Sequence, residues 1–144
     1  MLPCACANLR RATRAVTHLY DQELRETGLR VTQFTLLQAL ERIQPVAQGQ
    51  LGEILALDTT TLSRTLRPLE ESGWIRSQPG NDQRERIWSL TAGGRKKLAA
   101  SKRHWSRAQD RLAAQLGRLS QLSKTGWDDL QNTLVAVTLA AQRA

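Results

Sequence analysis

The sequence contains little of what marks membrane, secreted or low-complexity chains. None of its apolar runs approaches the ~18 residues of a membrane-spanning helix. It has 2 cysteines, 4 prolines and 9 glycines in 144 residues. Two cysteines exclude a disulfide framework, and the glycine and proline content excludes a low-complexity chain. The stretch before Arg10 and Arg11 is too short for the apolar core of a secretory signal, so we expect a cytoplasmic protein.

Acidic residues are also scarce. There are 13 Asp and Glu residues against 21 Lys and Arg, which gives a formal charge of +8 and a pI near 10.7. Such a balance favours nucleic acid or an anionic membrane surface as partner, and a basic surface that serves only solubility is the alternative. Seventeen of the 21 basic residues are arginine, whose planar fork suits phosphates and base edges.

Catalytic signatures are missing as well. The chain has no P-loop, no nucleophile elbow, no zinc-protease helix and no glycine-rich nucleotide turn. The sequence therefore predicts a protein that is not an enzyme and that needs no cofactor and no metal.

What remains is a single domain of 144 residues that is mainly helical. Apolar periodicity predicts helices over 4–27, 32–42, 50–56 and 59–72, strands over 74–77 and 86–90, a long helix after Thr91, a break at 123–125, and a last helix. Gly28 and Gly73 would end helices, and Asp58 and Thr91 would cap the starts of two others.

The order of these elements predicts a fold. A short helix, a turn, a second helix and a β-hairpin form a helix-turn-helix followed by a wing. We therefore predict a mainly α fold with a small β-hairpin wing, a winged helix-turn-helix with N- and C-terminal dimerisation helices. The expected divisions are an N-terminal dimerisation helix at 1–30, a DNA-binding lobe at 31–94 and C-terminal dimerisation helices at 95–144.

The long helix after Thr91 supports the dimerisation hypothesis. Its apolar residues Leu98, Trp105, Leu112 and Leu119 are spaced by seven, which is typical of a helix packed along another helix. The terminal helices carry more apolar surface than one small core needs, so we expect them to meet a second copy of the chain, although they could also fold back on their own.

The second helix of a helix-turn-helix enters the major groove of DNA. Its polar residues here are predicted to contact bases and phosphates, while Leu62, Leu66 and Leu69 face the core. The hairpin tip would bring an arginine to the minor groove, with Asp82 orienting it from behind. The full set of predicted DNA-binding residues is Thr59, Thr60, Thr61, Ser63, Arg64, Arg67, Asp82, Arg84 and Arg86.

Four blocks of sequence resemble the MarR family of bacterial transcription regulators. They are Leu57-Asp58-Thr59-Thr60-Thr61-Leu62-Ser63-Arg64, Leu69-Glu70-Glu71-Ser72-Gly73-Trp74-Ile75, Asp82-Gln83-Arg84 and Leu90-Thr91-Ala92-Gly93-Gly94. The resemblance implies a winged-helix homodimer that binds a pseudo-palindromic operator in double-stranded DNA. It also implies a repressor released by a small ligand, an oxidant or a metal, with Arg84 in the minor groove.

Two positions depart from that family pattern. Pro68 lies inside the predicted recognition helix, where proline costs about 3 kcal/mol unless the helix bends, so we expect a kink between Arg64 and Pro68. Arg30 stands where the family often has Ser or Thr, and we expect Thr32 to cap the second helix instead.

Cys4 and Cys6 leave the signal open. They are predicted to be small packing residues in a reducing cytosol, in which case a small organic molecule is the effector. In the alternative, Cys6 senses organic hydroperoxides, as its spacing to Arg14 resembles the OhrR branch of the family, although Val31 and Phe34 replace that branch's supporting tyrosines. A soft metal or arsenic site on both cysteines is a further alternative.

The two histidines, His18 and His104, are expected at the surface or at an interface rather than as metal ligands. Two rival functions also remain at this point, a non-specific nucleoid-type DNA binder and a membrane-surface binder. We expect no membrane binding.

Overall fold

A computed structural model of the protein describes residues 4–82, 85–120 and 124–143. The elements follow the chain as α1 (Ala5–Leu24), a 3-10 turn (Arg25–Thr27), α2 (Val31–Ile43), β1 (Val46–Ala47), α3 (Gln48–Leu55), α4 (Thr59–Glu71), β2 (Ile75–Pro79), β3 (Arg86–Leu90), α5 (Ala92–Ser120) and α6 (Lys124–Arg143). The chain divides into two compact units, Met1–Trp105 and Ser106–Ala144. The predicted mainly helical, winged-helix architecture is confirmed.

The wing is a three-stranded antiparallel sheet in the order β1-β3-β2. Ile75 of β2 lies opposite Leu90 of β3, and Val46 of β1 lies opposite Trp88. The hairpin of β2 and β3 was expected, whereas β1 was not. Its two residues give no periodic signal, because a strand needs several alternating positions before it shows in a sequence.

The core of the first unit is built from leucine stripes. Leu62, Leu66 and Leu69 of α4 are at most 1% exposed, as their helical spacing predicts. They belong to a buried cluster that also contains Leu24, Leu29, Phe34, Leu36, Leu37, Leu40, Val46, Leu51, Ile75, Trp88, Leu90 and Leu98. This core fixes α4 with its polar face outward.

The apolar residues that recur every seven positions on α5 do not all lie at a subunit interface. Leu98 is fully buried in the core of the first unit, and Trp105 stacks on Phe34 with ring centroids 5.8 Å apart. The expectation that these two residues pack at a dimer interface is therefore wrong. A regular spacing identifies a buried face but not the chain that covers it.

The junction of α1 and α2 is held by Asp21 rather than by the predicted cap. The carboxylate of Asp21 accepts the backbone N–H of Val31 at 2.7 Å and pairs with the guanidinium of Arg30 at 3.1 Å. The backbone N–H of Arg30 donates to the side-chain oxygen of Gln33 at 2.9 Å. Thr32 is exposed and does not cap α2. Asp21 lies nine residues before Arg30, so local sequence patterns do not reveal this contact.

The start of α5 is fastened to the base of the wing. Gly73 ends α4 with a φ of +70°, and the Thr91 hydroxyl donates to its carbonyl at 2.7 Å. The same hydroxyl accepts the backbone N–H of Gly94 at 3.0 Å, which confirms Thr91 as the cap of α5. A Cβ at Gly94 would collide with the backbone carbonyl of Trp74, so only glycine fits this crossing.

His104 is 3% exposed, which contradicts the expected surface position. One ring nitrogen, Nδ1, lies 3.1 Å from the backbone carbonyl of Glu23, and Nε2 accepts Arg103 Nε at 3.2 Å. Nδ1 therefore carries the proton and donates it to Glu23. This pair of bonds satisfies the buried ring and connects α5 to α1.

The second unit contains the end of α5 and α6. Leu134, Val135, Val137 and Leu139 of α6 are between 42% and 59% exposed. Part of the predicted break at 123–125 lies outside the described residues, and α6 includes 124 and 125. None of the helices in the described parts of the chain combines the length and apolarity needed to cross a membrane.

Candidate nucleic-acid interface

The start of α4 is ordered by its cap. One carboxylate oxygen of Asp58 accepts the backbone N–H of Thr61 at 2.9 Å, and the other accepts the Thr61 hydroxyl at 2.6 Å. These bonds, the hydroxyl first, lower the pKa of Asp58 below its ordinary value. The predicted cap is confirmed, and it places the first turn of α4 at a defined point of the surface.

The outward face of α4 is polar. Each hydroxyl and arginine side chain that the sequence assigned to DNA on this helix is exposed: Thr59, Thr60, Thr61, Ser63, Arg64 and Arg67. The helix continues through Pro68 to Glu71. Proline has no N–H to donate to the Arg64 carbonyl, so the helix loses one backbone bond at that point.

The two arginines of this face differ in their surroundings. Arg67 Nε donates to Glu71 at 2.8 Å, and this bond raises the pKa of Arg67 above its ordinary value. Both side chains are exposed, so the pair adds little to stability and mainly orients the guanidinium. Within residues 4–82, 85–120 and 124–143, no ion pair is found for Arg64.

The wing is bonded to α4 by side chains. The Ser77 hydroxyl of β2 donates to Glu70 of α4 at 2.7 Å. Two turns earlier on the same helix, Gln48 at the start of α3 donates to the hydroxyl of Ser63 at 3.2 Å. The candidate recognition helix and the wing are therefore brought together as one surface.

The wing tip is described in part. Asp82 is exposed, and its carbonyl accepts the backbone N–H of Glu85 at 2.9 Å. Arg86 is exposed, and its guanidinium lies 5.7 Å from the centre of the Trp88 ring, a cation–π distance. Arg84 lies outside the described residues, as does its predicted pairing with Asp82.

The cysteines lie on a different element. Cys4 and Cys6 are free and exposed at the start of α1, and the Cys4 carbonyl accepts the backbone N–H of Asn8 at 3.1 Å. Exposure distinguishes them from buried packing residues. In the described segments, no group of three or more His, Cys, Asp or Glu side chains could hold a metal ion.

Sequence reasoning missed two glutamines of this surface. Gln44 accepts the backbone N–H of Leu90 at 2.7 Å, and Gln48 accepts the indole N–H of Trp88 at 3.1 Å. They join α2 and α3 to β3. Their partners lie 46 and 40 positions away along the chain, so no local pattern in the sequence reveals either contact.

Comparison with known proteins gives consistent matches. Residues 29–85 match the MarR family. The chain is 30% identical over 89 residues to the uncharacterised HTH-type transcriptional regulator YwoH of Bacillus subtilis, covering 62% of this chain and 65% of that protein. It is 32% identical over 85 residues to the HTH-type transcriptional regulator SarZ of Staphylococcus epidermidis, covering 58% of this chain and 57% of SarZ. The matched segments thus span less than two thirds of these relatives.

A solved structure matches over almost the full length. The crystal structure of the M. tuberculosis transcriptional regulator MosR in complex with DNA superposes with a TM-score of 0.83 at 29% identity, covering 97% of each chain. The similarity therefore includes α1, α5 and α6 as well as the winged helix.

Proposed function

Since this chain belongs to the MarR family through its winged-helix domain at residues 29–85, we propose that it is a sequence-specific DNA-binding transcriptional regulator of the cytoplasm. It would act as a homodimer on a pseudo-palindromic operator in double-stranded DNA. Its role would be that of a repressor released by a small organic effector. Binding, not catalysis, would be its activity.

The outward face of α4 carries this proposal. Its exposed hydroxyls and Arg64 project from a helix whose other face is fully buried, and the cap at Asp58 orders its first turn. Hydroxyls and arginine are side chains that reach base edges and phosphates in the major groove. MosR, which shares this fold over 97% of its length, is bound to DNA in its crystal structure.

The wing and the terminal helices would complete the regulator. Arg84 and Arg86 would reach the minor groove beside the helix, where a narrow A·T-rich groove attracts arginine. Faces of α1 and of α6 would meet a second copy, since Leu9 on α1 and the apolar residues of α6 are exposed. Two lobes would then contact major grooves one helical turn apart.

Fluorescence anisotropy tests the proposal. A duplex from immediately upstream of this gene is titrated with protein, and a scrambled duplex of equal composition is the reference. We expect at least a roughly hundredfold preference for the upstream duplex and a steep loss of affinity with salt. Equal affinity for both duplexes would instead indicate a non-specific binder.

Arg64→Ala sharpens this test, and Arg42→Ala is its matched control. Both remove one exposed arginine, from α4 and from the last turn of α2 respectively. Arg64→Ala should weaken binding about tenfold and reduce the preference for the upstream duplex, because an arginine fork discriminates between bases. Arg42→Ala should change little. Similar losses from both variants would contradict the proposed docking.

A thiol-based signal is the second candidate, favoured by the exposure of both cysteines at the first turn of α1. The thiolate is the form of cysteine that reacts with peroxides. An organic hydroperoxide would be reduced to the alcohol while the Cys6 thiolate becomes a sulfenate. Loss of binding on oxidation, recovery with thiol and resistance of Cys6→Ser would identify this signal. Indifference to oxidation and to arsenite would leave an organic effector.

A further inference from the structure

Gln48 connects the wing to the outward face of α4 through two hydrogen bonds. The indole N–H of Trp88 on β3 donates to Gln48 Oε1 at 3.1 Å. The amide nitrogen of Gln48 donates to Ser63 Oγ on α4 at 3.2 Å. Three elements thus share one chain of bonds that ends at a residue of the proposed DNA surface.

The fold explains why Gln48 reaches both partners. Val46 of β1 pairs opposite Trp88 of β3, and Gln48 follows two residues later as the first residue of α3. Trp88 is a buried residue, only 2% exposed, so its indole N–H depends on a partner within the protein. An unpaired buried N–H is costly, which keeps the Gln48 oxygen on that side.

The direction of these bonds follows from chemistry. An indole N–H can only donate, so the oxygen of the Gln48 amide must face Trp88 and its NH₂ group must face Ser63. Ser63 Oγ is then an acceptor toward the protein. A hydroxyl has one proton, and that of Ser63 is therefore directed away from Gln48, on an exposed side chain.

We infer that Gln48 is a positioning residue that makes Ser63 a hydrogen-bond donor toward DNA and thereby sets a base preference. This inference rests on the proposed function. Guanine O6, purine N7 and thymine O4 accept hydrogen bonds in the major groove, whereas the amino groups of adenine and cytosine donate. A Ser63 hydroxyl fixed as donor selects an acceptor at the position it meets.

Gln48→Glu tests the inference because it keeps the shape of the side chain and reverses the direction of its hydrogen bond with Ser63. A carboxylate at this position still accepts the Trp88 N–H but cannot donate to Ser63, so the hydroxyl turns inward and donates to it. Gln50→Glu is the matched control, since Gln50 is exposed on the same first turn of α3 and gains the same charge. Acidic residues suit a helix start, so both variants should fold.

The readout is affinity for the upstream duplex by anisotropy, with far-UV circular dichroism to verify the fold. We expect Gln48→Glu to weaken binding about fivefold more than Gln50→Glu, the usual effect of one hydrogen bond. In a Ser63→Ala background the difference should fall below about twofold, because no hydroxyl remains to be redirected. Ser63→Ala removes only an exposed hydroxyl and provides a second variant that folds.

Duplexes in which each base pair is changed in turn locate the contact. Loss of discrimination at one base pair in both Gln48→Glu and Ser63→Ala supports the inference. If affinity falls equally whichever base pair is changed, the Ser63 hydroxyl donates to a phosphate oxygen. That result would overturn the inferred base preference. Equal effects of Gln48→Glu and Gln50→Glu overturn the positioning role while leaving the proposed function intact. If the unmodified protein shows no preference for the upstream duplex, the proposed function itself fails.

Discussion

Helices α4 and α6 differ in how deeply their apolar residues are buried. On α4, Leu62, Leu66 and Leu69 are at most 1% exposed. On α6, Leu134 and Leu139 are 44% and 47% exposed, and five positions separate them, which places them roughly 140° apart around the helix. The first helix is stabilised by its own chain, and the second presents apolar surface on more than one side.

The difference shows which properties belong to one chain and which require two. A helix with a single buried stripe has its other face available for a partner of different chemistry, as the polar face of α4 does. A helix that is apolar on several sides is expected to be buried in an assembly. The comparison therefore predicts that a substitution of a buried leucine on α4 destabilises the protein equally at every protein concentration. A substitution on α6 should have an effect that depends on protein concentration.

The largest effect is expected for Leu66→Ala. It removes a side chain that is 1% exposed and leaves a cavity, so it should lower the free energy of unfolding by about 3 kcal/mol. Urea denaturation followed by circular dichroism measures this loss, which should be the same at low and high protein concentration. Leu139→Ala is the matched truncation on α6. A concentration-independent loss of equal size there would remove the distinction between the two helices.

Leu134→Glu tests the other side of the comparison. A charge placed in a subunit interface should weaken self-association by about 3 kcal/mol, or roughly a hundredfold in the dimer dissociation constant. Sedimentation velocity over a range of concentrations measures it. Gln142→Glu adds the same charge near the end of the same helix at an exposed polar position and should have little effect. An unchanged association of Leu134→Glu would mean that α6 is not part of the interface.

The smallest effect concerns the pH dependence of the cap of α4. The pKa of Asp58 is lowered from its ordinary 3.8, so its carboxylate stabilises the fold above that pH. The contribution is lost as the pH falls through the lowered pKa. Asparagine caps a helix without titrating, so the Tm of the unmodified protein should exceed that of Asp58→Asn by about 2 °C at neutral pH.

The gap in Tm should close in acid. Thermal melts of both proteins between neutral pH and pH values below the ordinary pKa of Asp58 measure it. Asp58→Ala, which lacks any capping group, should melt lower than either at neutral pH. A gap that stays constant with pH would show that the charge of Asp58 has no role in the cap.

Local signals in the sequence predicted much of the fold. The caps at Asp58 and Thr91 are confirmed, because a capping side chain and its N–H partner lie three residues apart. The buried leucines of α4 are confirmed for the same reason, since helical spacing is a local property. Helix-turn-helix and hairpin follow from the order of these elements.

Contacts between distant positions were not predictable in this way. Gln48 meets Trp88 across 40 positions, and His104 meets Glu23 across 81. Neither Gln48 nor His104 belongs to a periodic pattern. Each lies near its partner because the packing of the core brings the two segments together. The candidate DNA surface was thus predicted by residue type and helix face, whereas the glutamine that orders part of it was not.

The junction at the base of the wing has a consequence for sequence drift. Gly93 and Gly94 are neighbours in one helical turn, yet a Cβ at Gly93 would meet no atom closer than 3.5 Å, while one at Gly94 would collide with the Trp74 carbonyl. Alanine favours helices by about 1 kcal/mol over glycine. Gly93 can therefore be replaced by alanine during evolution without loss of the fold, whereas Gly94 cannot. Two adjacent and chemically identical residues are thus under different evolutionary constraint.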